Sequence, residues 1–310
     1  MQHLPVLVAE SVERLAPERG GLFVDATVGL GGHAEAMLRA APGVRLLGID
    51  RDPQALARAA RRLAPFGERV AFEEARFDQL ETVLARRGSG PVAGILADLG
   101  VSSLQLETAA RGFSFRLAGP LDMRMGPSGQ TAAELVNESS EEQLAKILRE
   151  YGEEKQARRI ARAIVRAREE EPLATTADLK RVVDRAKSGE RWREGRREGR
   201  IDPATRVFQA LRIAVNEELA GLETFLDQAV HQLESGGRLV VISYHSLEDR
   251  IVKNTLRDMA RGEVDEVTGR PRAESQLIEV MTRKPVTPSA SEVDLNPRSR
   301  SAKLRAARRL

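Results

Sequence analysis

The chain has no cysteine and only four histidines, His3, His33, His231 and His245, among its 310 residues. The first absence excludes a disulfide framework and any thiolate metal site. The histidines are not paired at ligand spacing, so no metal is expected. Long apolar runs are missing too: no segment approaches the roughly 18 uninterrupted apolar residues of a membrane span. The opening Met1-Gln2-His3-Leu4-Pro5-Val6 lacks the basic head and apolar core of an export signal. A cytoplasmic protein with no membrane partner is expected. Neither sign of charge dominates, since 49 Lys and Arg against 46 Asp and Glu leave a formal net charge of +3, only a basic lean. The length exceeds one typical domain, which predicts two domains or one domain carrying a large insertion.

Against these absences stands one dense segment, Asp25-Ala26-Thr27-Val28-Gly29-Leu30-Gly31-Gly32-His33, which follows the apolar run Gly21-Leu22-Phe23-Val24 and opens an Ala-rich helical stretch. A strand that ends in an acid and turns through close glycines lets backbone approach a ligand, because glycine has no Cβ and tolerates positive φ. A second apolar run, Val44 to Ile49, ends in Asp50, where a nucleotide-binding βαβ unit places the acid that grips ribose hydroxyls. Gly29 to Ala34 also fits G-x-G-x-x-A, so a nicotinamide dehydrogenase is a competing reading. Asp25 shifts the balance, since acid-x-small-x-Gly-x-Gly resembles the first motif of S-adenosylmethionine methyltransferases. That donor carries a sulfonium and an ammonium for an acid to meet, and a carboxylate for amide N–H groups. The plain structural alternatives are a turn or capping role for Asp25 and an N-cap role for Asp50 ahead of Pro53.

Between residues 22 and 98 short apolar runs alternate with helix-period segments. Strands are predicted near 22–25, 44–49, 69–73 and 92–97, and helices over 32–41, 53–64 and 77–87. This is the α/β, doubly wound Rossmann-like pattern. After Asp98 the alternation gives way to a Gly- and Ser-rich loop and then to helical periodicity over 131–137, 140–151, 153–170 and 175–187. An all-helical insertion is therefore predicted over 106–204, inside a sheet domain made of 1–105 and 205–310. A long helix over 203–234 returns to the apolar strand Leu239-Val240-Val241-Ile242-Ser243, and a last pair near 276–282 and 302–309 closes the sheet as an antiparallel edge.

Three basic stretches are candidates for RNA contact. Arg158, Arg159, Arg162, Arg166 and Arg168 ring the helix 153–170, where Glu153, Glu154 and Glu169 favour a solvated, self-paired face. Residues 185–200 gather seven basic side chains around Trp192, the composition that phosphate contact plus base stacking asks for. The tail from Asn296 to Leu310 has no acid at all, and reads as an RNA-facing strand or arm.

Four further motifs complete the pattern: Asp98-Leu99-Gly100-Val101-Ser102-Ser103-Leu104-Gln105 after the fourth strand, Gly112-Phe113-Ser114-Phe115-Arg116-Leu117-Ala118-Gly119-Pro120-Leu121-Asp122-Met123-Arg124-Met125, Val207 to Leu219, and Ile242-Ser243-Tyr244-His245-Ser246. With these, the whole chain closely resembles the bacterial 16S ribosomal RNA cytosine-N4 methyltransferase family (RsmH, formerly MraW). It departs at Ala118, where the family often has Asp, and at Tyr244, where Phe is common. The resemblance implies S-adenosylmethionine as cofactor and 16S rRNA or the small ribosomal subunit as partner, with methylation of a cytidine N4 in the decoding region. It implies that Gly31, Gly32 and His33 hold the donor, Asp50 its ribose and Phe77 its adenine, with Asp98 and Gln105 lining the same cleft. It also gives the insertion the task of recognising RNA.

Methyl transfer to this nitrogen demands alignment of acceptor, methyl carbon and leaving sulfur. It also demands acceptors for the amine N–H groups, because the N4 lone pair is delocalised into the ring. Many amino-methyltransferases supply these from an Asn/Asp/Ser-Pro-Pro-aromatic tetrapeptide; here Asp98-Leu99-Gly100-Val101 takes the place. Asp98 is the candidate acceptor, with His245 beside the base, and Phe113, Phe115 or Trp192 could hold a base withdrawn from its stack. A non-enzymatic alternative is a ribosome-assembly factor whose donor site only senses metabolite.

Overall fold

The computed structural model describes residues 5–187, 202–263 and 275–310. In them seven strands form one sheet: β1 (Gly21–Asp25), β2 (Val44–Asp50), β3 (Val70–Glu74), β4 (Val92–Asp98), β5 (Leu233–Ser243), β6 (Ile278–Val280) and β7 (Lys303–Arg309). Their order is β3-β2-β1-β4-β5-β7-β6. The strands from β3 across to β5 pair in parallel, and β7 lies antiparallel between β5 and β6. The chain winds outward from β1 to β3 and then resumes on the other side of β1 at β4, so the order reverses between β1 and β4. In open α/β sheets that switch point is where ligands bind, at the carboxyl ends of the strands.

The central strands read as continuous apolar runs because both faces of a parallel sheet are covered. Successive side chains alternate between the faces. Phe23, Leu46, Leu96 and Val240 pack on one side with Leu15, Met37 and Leu63 from α1 (Val8–Leu15), α2 (Gly32–Ala40) and α3 (Pro53–Leu63). Val24, Leu47, Ile95 and Val241 pack on the other with Leu84, Phe225 and Val252 from α4 (Leu80–Arg86), α11 (Ala220–Gln232) and α12 (Ser246–Arg261). The expected strands and helices up to residue 98 all form. Helices α1 and α12 lie outside the alternation read from the sequence. No helix of the described residues is long and apolar enough to cross a membrane.

The chain divides into two units, Met1–Gly100 with Leu219–Leu310, and Val101–Glu218. These bounds differ from those expected at 105/106 and 204/205, because α10 (Pro203–Asn216) packs inside the insertion. Its Val207, Phe208 and Leu211 share a core with Leu144 and Leu148 of α7 (Glu141–Glu150), Ile160 and Ile164 of α8 (Ala157–Glu170), and Leu179 and Val183 of α9 (Thr176–Lys187). The single helix predicted over 203–234 is thus two helices. Glu217 at the break has φ 50°, a left-handed conformation that ends α10.

The polar and aromatic loop 112–125 belongs to this core. Gly112 and Gly119 lie so close to the Pro120 and Ala109 carbonyls that a Cβ at either position would overlap them. Phe113 is buried, and Phe115 meets Phe208 edge-on at 5.2 Å, so both act as anchors of the insertion. Asn216 ties the loop down: its amide oxygen accepts from the Met125 N–H at 2.8 Å, and its amide nitrogen donates to the Met123 carbonyl at 2.7 Å.

The antiparallel pair expected near 276–282 and 302–309 forms as β6 and β7. Residues 303–309 of the basic tail become strand β7 inside the sheet, where pairing with β5 and β6 occupies both edges. The Arg305 guanidinium and Lys303 ammonium both donate to Asp249, at 2.7 and 2.9 Å, and Arg308 pairs with Glu279. The sheet thus engages Lys303, Arg305 and Arg308, three of the tail's basic groups. Trp192 and the arginines from 191 to 200 lie outside the described residues.

Asn216→Ala leaves two buried main-chain groups without partners. It should lower unfolding free energy by about 2–4 kcal/mol, read from the urea midpoint at unchanged m-value. A loss below about 0.5 kcal/mol would show that the loop is held by packing alone.

Candidate functional site

Three neighbouring strands each end in an aspartate: Asp50 closes β2, Asp25 closes β1 and Asp98 closes β4. The turn after β1 is threaded between the neighbouring strands. The Ala26 N–H bonds the Leu96 carbonyl at 2.8 Å, and the Val28 N–H bonds the Ile49 carbonyl at 2.9 Å. The chain then passes through Gly29 and Gly31 at φ 50° and 76°, conformations that favour glycine, and enters α2. Gly32 is required for a different reason, since a Cβ there would stand 2.7 Å from the Pro5 ring. The glycine cluster therefore both shapes the turn and seats the N-terminal segment.

Asp50 accepts from the Gly29 and Asp52 N–H groups, each at 2.9 Å. The N-cap of α3 is Asp52, whose carboxylate accepts from Gln54 N–H at 3.0 Å. Capping thus falls to Asp52 and leaves Asp50 to the strand end. Asp25 is 2 % exposed, and the one hydrogen bond described for its carboxylate comes from the Thr27 N–H at 3.2 Å. Burial above all, helped by the charges of Asp98 and Asp50, pushes its carboxyl up to about 8 against the opposing Thr27 bond. Burial likewise raises Asp50 to about 6, against its two N–H donors.

Asp98 is held from several sides. Its main-chain N–H donates to the Thr27 hydroxyl at 2.7 Å, and the Tyr244 hydroxyl donates to its Oδ1 at 2.8 Å. His33 is buried, with Nε2 2.8 Å from the Val6 carbonyl and Nδ1 3.8 Å from Asp98 Oδ2. Burial, then the neighbouring Asp98 carboxylate, holds the Tyr244 hydroxyl well above the usual phenol range, so it stays a donor. Tyr244 was visible in the sequence only as a departure from phenylalanine. An added hydroxyl at an apolar position was the signal that it had a polar partner.

The remaining predicted residues fall into distinct places. Phe77 begins a short turn after β3, beside the end of β2, where the Ala75 N–H bonds the Asp50 carbonyl. Its half-buried ring meets Phe225 edge-on at 5.4 Å. His245 is the N-cap of α12: its Nδ1 faces the Glu248 N–H at 3.5 Å and its Nε2 lies 3.2 Å from Glu248 Oε1. Gln105 belongs to the other unit, where it forms a capping box with Ser102 at the start of α5 (Ser103–Glu107).

A glycine turn beside carboxylates starved of water suits a small ligand that presents positive charge and amide acceptors. S-adenosylmethionine has both, so the residues fit that donor. Comparison with known proteins gives the family. The MraW methylase family description matches residues 1–310. A ribosomal RNA small subunit methyltransferase H of Geotalea uraniireducens is 51% identical over 313 residues, covering 99% of this chain and 98% of its own. One from Bradyrhizobium diazoefficiens is 49% identical over 311 residues, covering 99% and 91%. Among solved structures, a Streptococcus mutans protein in complex with SAH aligns over 99% of this chain and 100% of its own, with a TM-score of 0.46 and 13% identity.

The raised Asp25 carboxyl has a stability consequence of definite sign. Its stabilising contribution is complete below its unfolded value near 4 and is lost as pH rises through about 8. Asp25→Asn should therefore melt roughly 3 °C or more above the wild type at pH 8, with the difference vanishing toward pH 4. Donor affinity of the same variant should fall at least tenfold. Equal melting temperatures at pH 8, or unchanged affinity, would refute the assignment.

Proposed function

Because the chain belongs to the MraW methylase family, whose members are S-adenosylmethionine-dependent methyltransferases, we propose that it methylates the exocyclic N4 of a cytidine in the decoding region of 16S ribosomal RNA. The relatives' name, ribosomal RNA small subunit methyltransferase H, supports RNA of the small subunit as the substrate. The cytidine N4 follows from the sequence resemblance and from the chemistry that Asp98 can offer.

The observation that carries this reading is the fixed carboxylate at the end of β4. S-adenosylmethionine supplies an electrophilic methyl group on a sulfonium sulfur. Asp25 and the glycine turn meet the charged parts of that donor, Asp50 its ribose, and the Phe77 ring its adenine. His33, wedged between the Val6 carbonyl and Asp98, keeps the N-terminal segment against the turn. Asp98 accepts a hydrogen bond from the target amine, which favours pyramidal nitrogen, and takes up the proton the amine sheds once the new N–C bond has formed. Thr27 and Tyr244 fix that carboxylate beforehand, so little reorganisation is left for the reaction. His245 caps α12 at the end of β5 and positions the adjoining wall of the base pocket. The wider task of the insertion is to recognise the RNA.

The test is mass spectrometry of nucleosides after incubating unmodified small subunits with the protein and isotopically labelled donor. Label in N4-methylcytidine is expected from the wild type, and Asp98→Ala should lose more than 99% of it while still binding donor, a drop of at least about 3 kcal/mol in transition-state stabilisation. Label in another nucleoside overturns the N4 assignment. No label despite donor binding favours an assembly factor, and near-normal turnover by Asp98→Ala removes Asp98 from the chemistry.

A further inference from the structure

We propose that the groove between α8 and α9 of the insertion binds the sugar–phosphate backbone of the substrate RNA. The proposal rests on the reading that the substrate is ribosomal RNA, and it locates one contact surface within the insertion alone.

The sequence suggests that the arginines of α8 are neutralised by Glu153, Glu154 and Glu169. The structure uses Glu154 otherwise. Glu154 is buried and paired with Lys187 of α9 at 2.5 Å. Arg168 turns inward and donates to the Val136 and Ser139 carbonyls at 2.8 and 2.6 Å, while Arg162 pairs with Glu141. Arg158, Arg159 and Arg166 remain exposed, and among the described residues they have no hydrogen-bond or ion-pair partner. Through Arg162 they stand three and four residues apart in series, and like charges at that spacing on a helix repel one another.

The three side chains are not scattered. With Arg162 and Arg185 they line a groove of about 650 Å³ whose floor includes Ala163 and Val182 and whose only acidic lining residue among those described is Glu170. A second hollow shares Arg158 and Arg159 and adds Arg149 and Lys155, which continues the basic strip beyond the start of α8. From Arg158 to Arg166 the strip runs about 12 Å along the helix axis, enough to meet successive phosphates. Guanidinium groups grip phosphate oxygens in pairs, and small residues on the floor let a strand approach closely.

The lining also selects among polyanions. Among the described residues no aromatic ring borders the groove, so this lining offers charge and not base stacking, and binding to it should be indifferent to sequence. An anionic membrane fits poorly, because the large exposed apolar residues of the described chain are Leu117, Leu295 and Leu310, none of them on α8 or α9.

The experiment uses the full chain with Arg158→Ala, Arg159→Ala and Arg166→Ala combined, and small-subunit RNA transcribed without modification. Binding is followed by fluorescence anisotropy across a salt series. The variant should bind RNA at least tenfold more weakly near 0.1 M salt, and the slope of log affinity against log salt should shrink by about two. Donor binding and melting temperature should stay at wild-type values, and lysine at all three positions should restore the slope. Wild-type affinity and slope in the alanine variant overturn the groove, even if the wild type methylates its RNA and the functional reading stands. Wild-type protein that neither binds nor methylates small-subunit RNA overturns both. Loss of binding to phosphatidylserine vesicles with RNA binding intact assigns the strip to lipid and likewise overturns it.

Discussion

Removing the carboxylate of Asp25 from water is the constraint on which the rest of this molecule turns. A parallel sheet covered on both faces must end its strands somewhere, and here β2, β1 and β4 end side by side, each in an aspartate. Buried, and facing the charges of Asp98 and Asp50, Asp25 holds its proton up to about pH 8. Its own sheet offers it one N–H from Thr27 and no cation. The fold has placed an unsatisfied demand for positive charge at its switch point, and a donor with a sulfonium and an ammonium answers that demand. Stability is given up locally so that affinity can be gained, the usual relation between a strained site and its ligand.

The surroundings of the three acids are correspondingly rigid. Thr27 links the β1 turn to the main chain of Asp98, Tyr244 reaches across from β5 to its carboxylate, and His33 bridges toward the N-terminal segment. Each link comes from a different strand or helix end, so the sheet itself sets the distances. The insertion achieves rigidity by other means. Its long loop is pressed against neighbouring carbonyls at Gly112 and Gly119 and tied by Asn216, and its helices begin in capping boxes such as Thr131 with Glu134 and Ser140 with Gln143. Among the described residues, three arginines of α8 take no part in these ties, and they form the surface proposed for RNA.

Much of this was legible in the sequence because periodicity and glycine turns are local. The strands of the sheet, the acid-glycine turn and the helical insertion all announce themselves in short windows. Side-chain partnerships are not local, and there the sequence misled. The acid-free tail reads as an RNA-facing strand or arm; the strand forms, yet Asp249, far away in sequence, claims its Lys303 and Arg305. Glu154 looked like a partner for the arginines around it and instead pairs with Lys187 from the next helix. The helical period ran through residues 203–234, and only the left-handed Glu217 shows that two units meet the chain there. Tyr244 stood out in the sequence as an anomaly, and its meaning became readable once the ends of β4 and β5 lay side by side.

The central claim is that the free protein keeps a proton on Asp25 which a cationic donor displaces. Isothermal titration of S-adenosylmethionine at pH 7, in buffers of different ionisation enthalpy, reads that proton directly. The account predicts release of roughly one proton per donor bound, declining to none as the pH passes well above the Asp25 value. The same heat of binding in every buffer at pH 7 would mean that Asp25 keeps one protonation state on binding, and would contradict it.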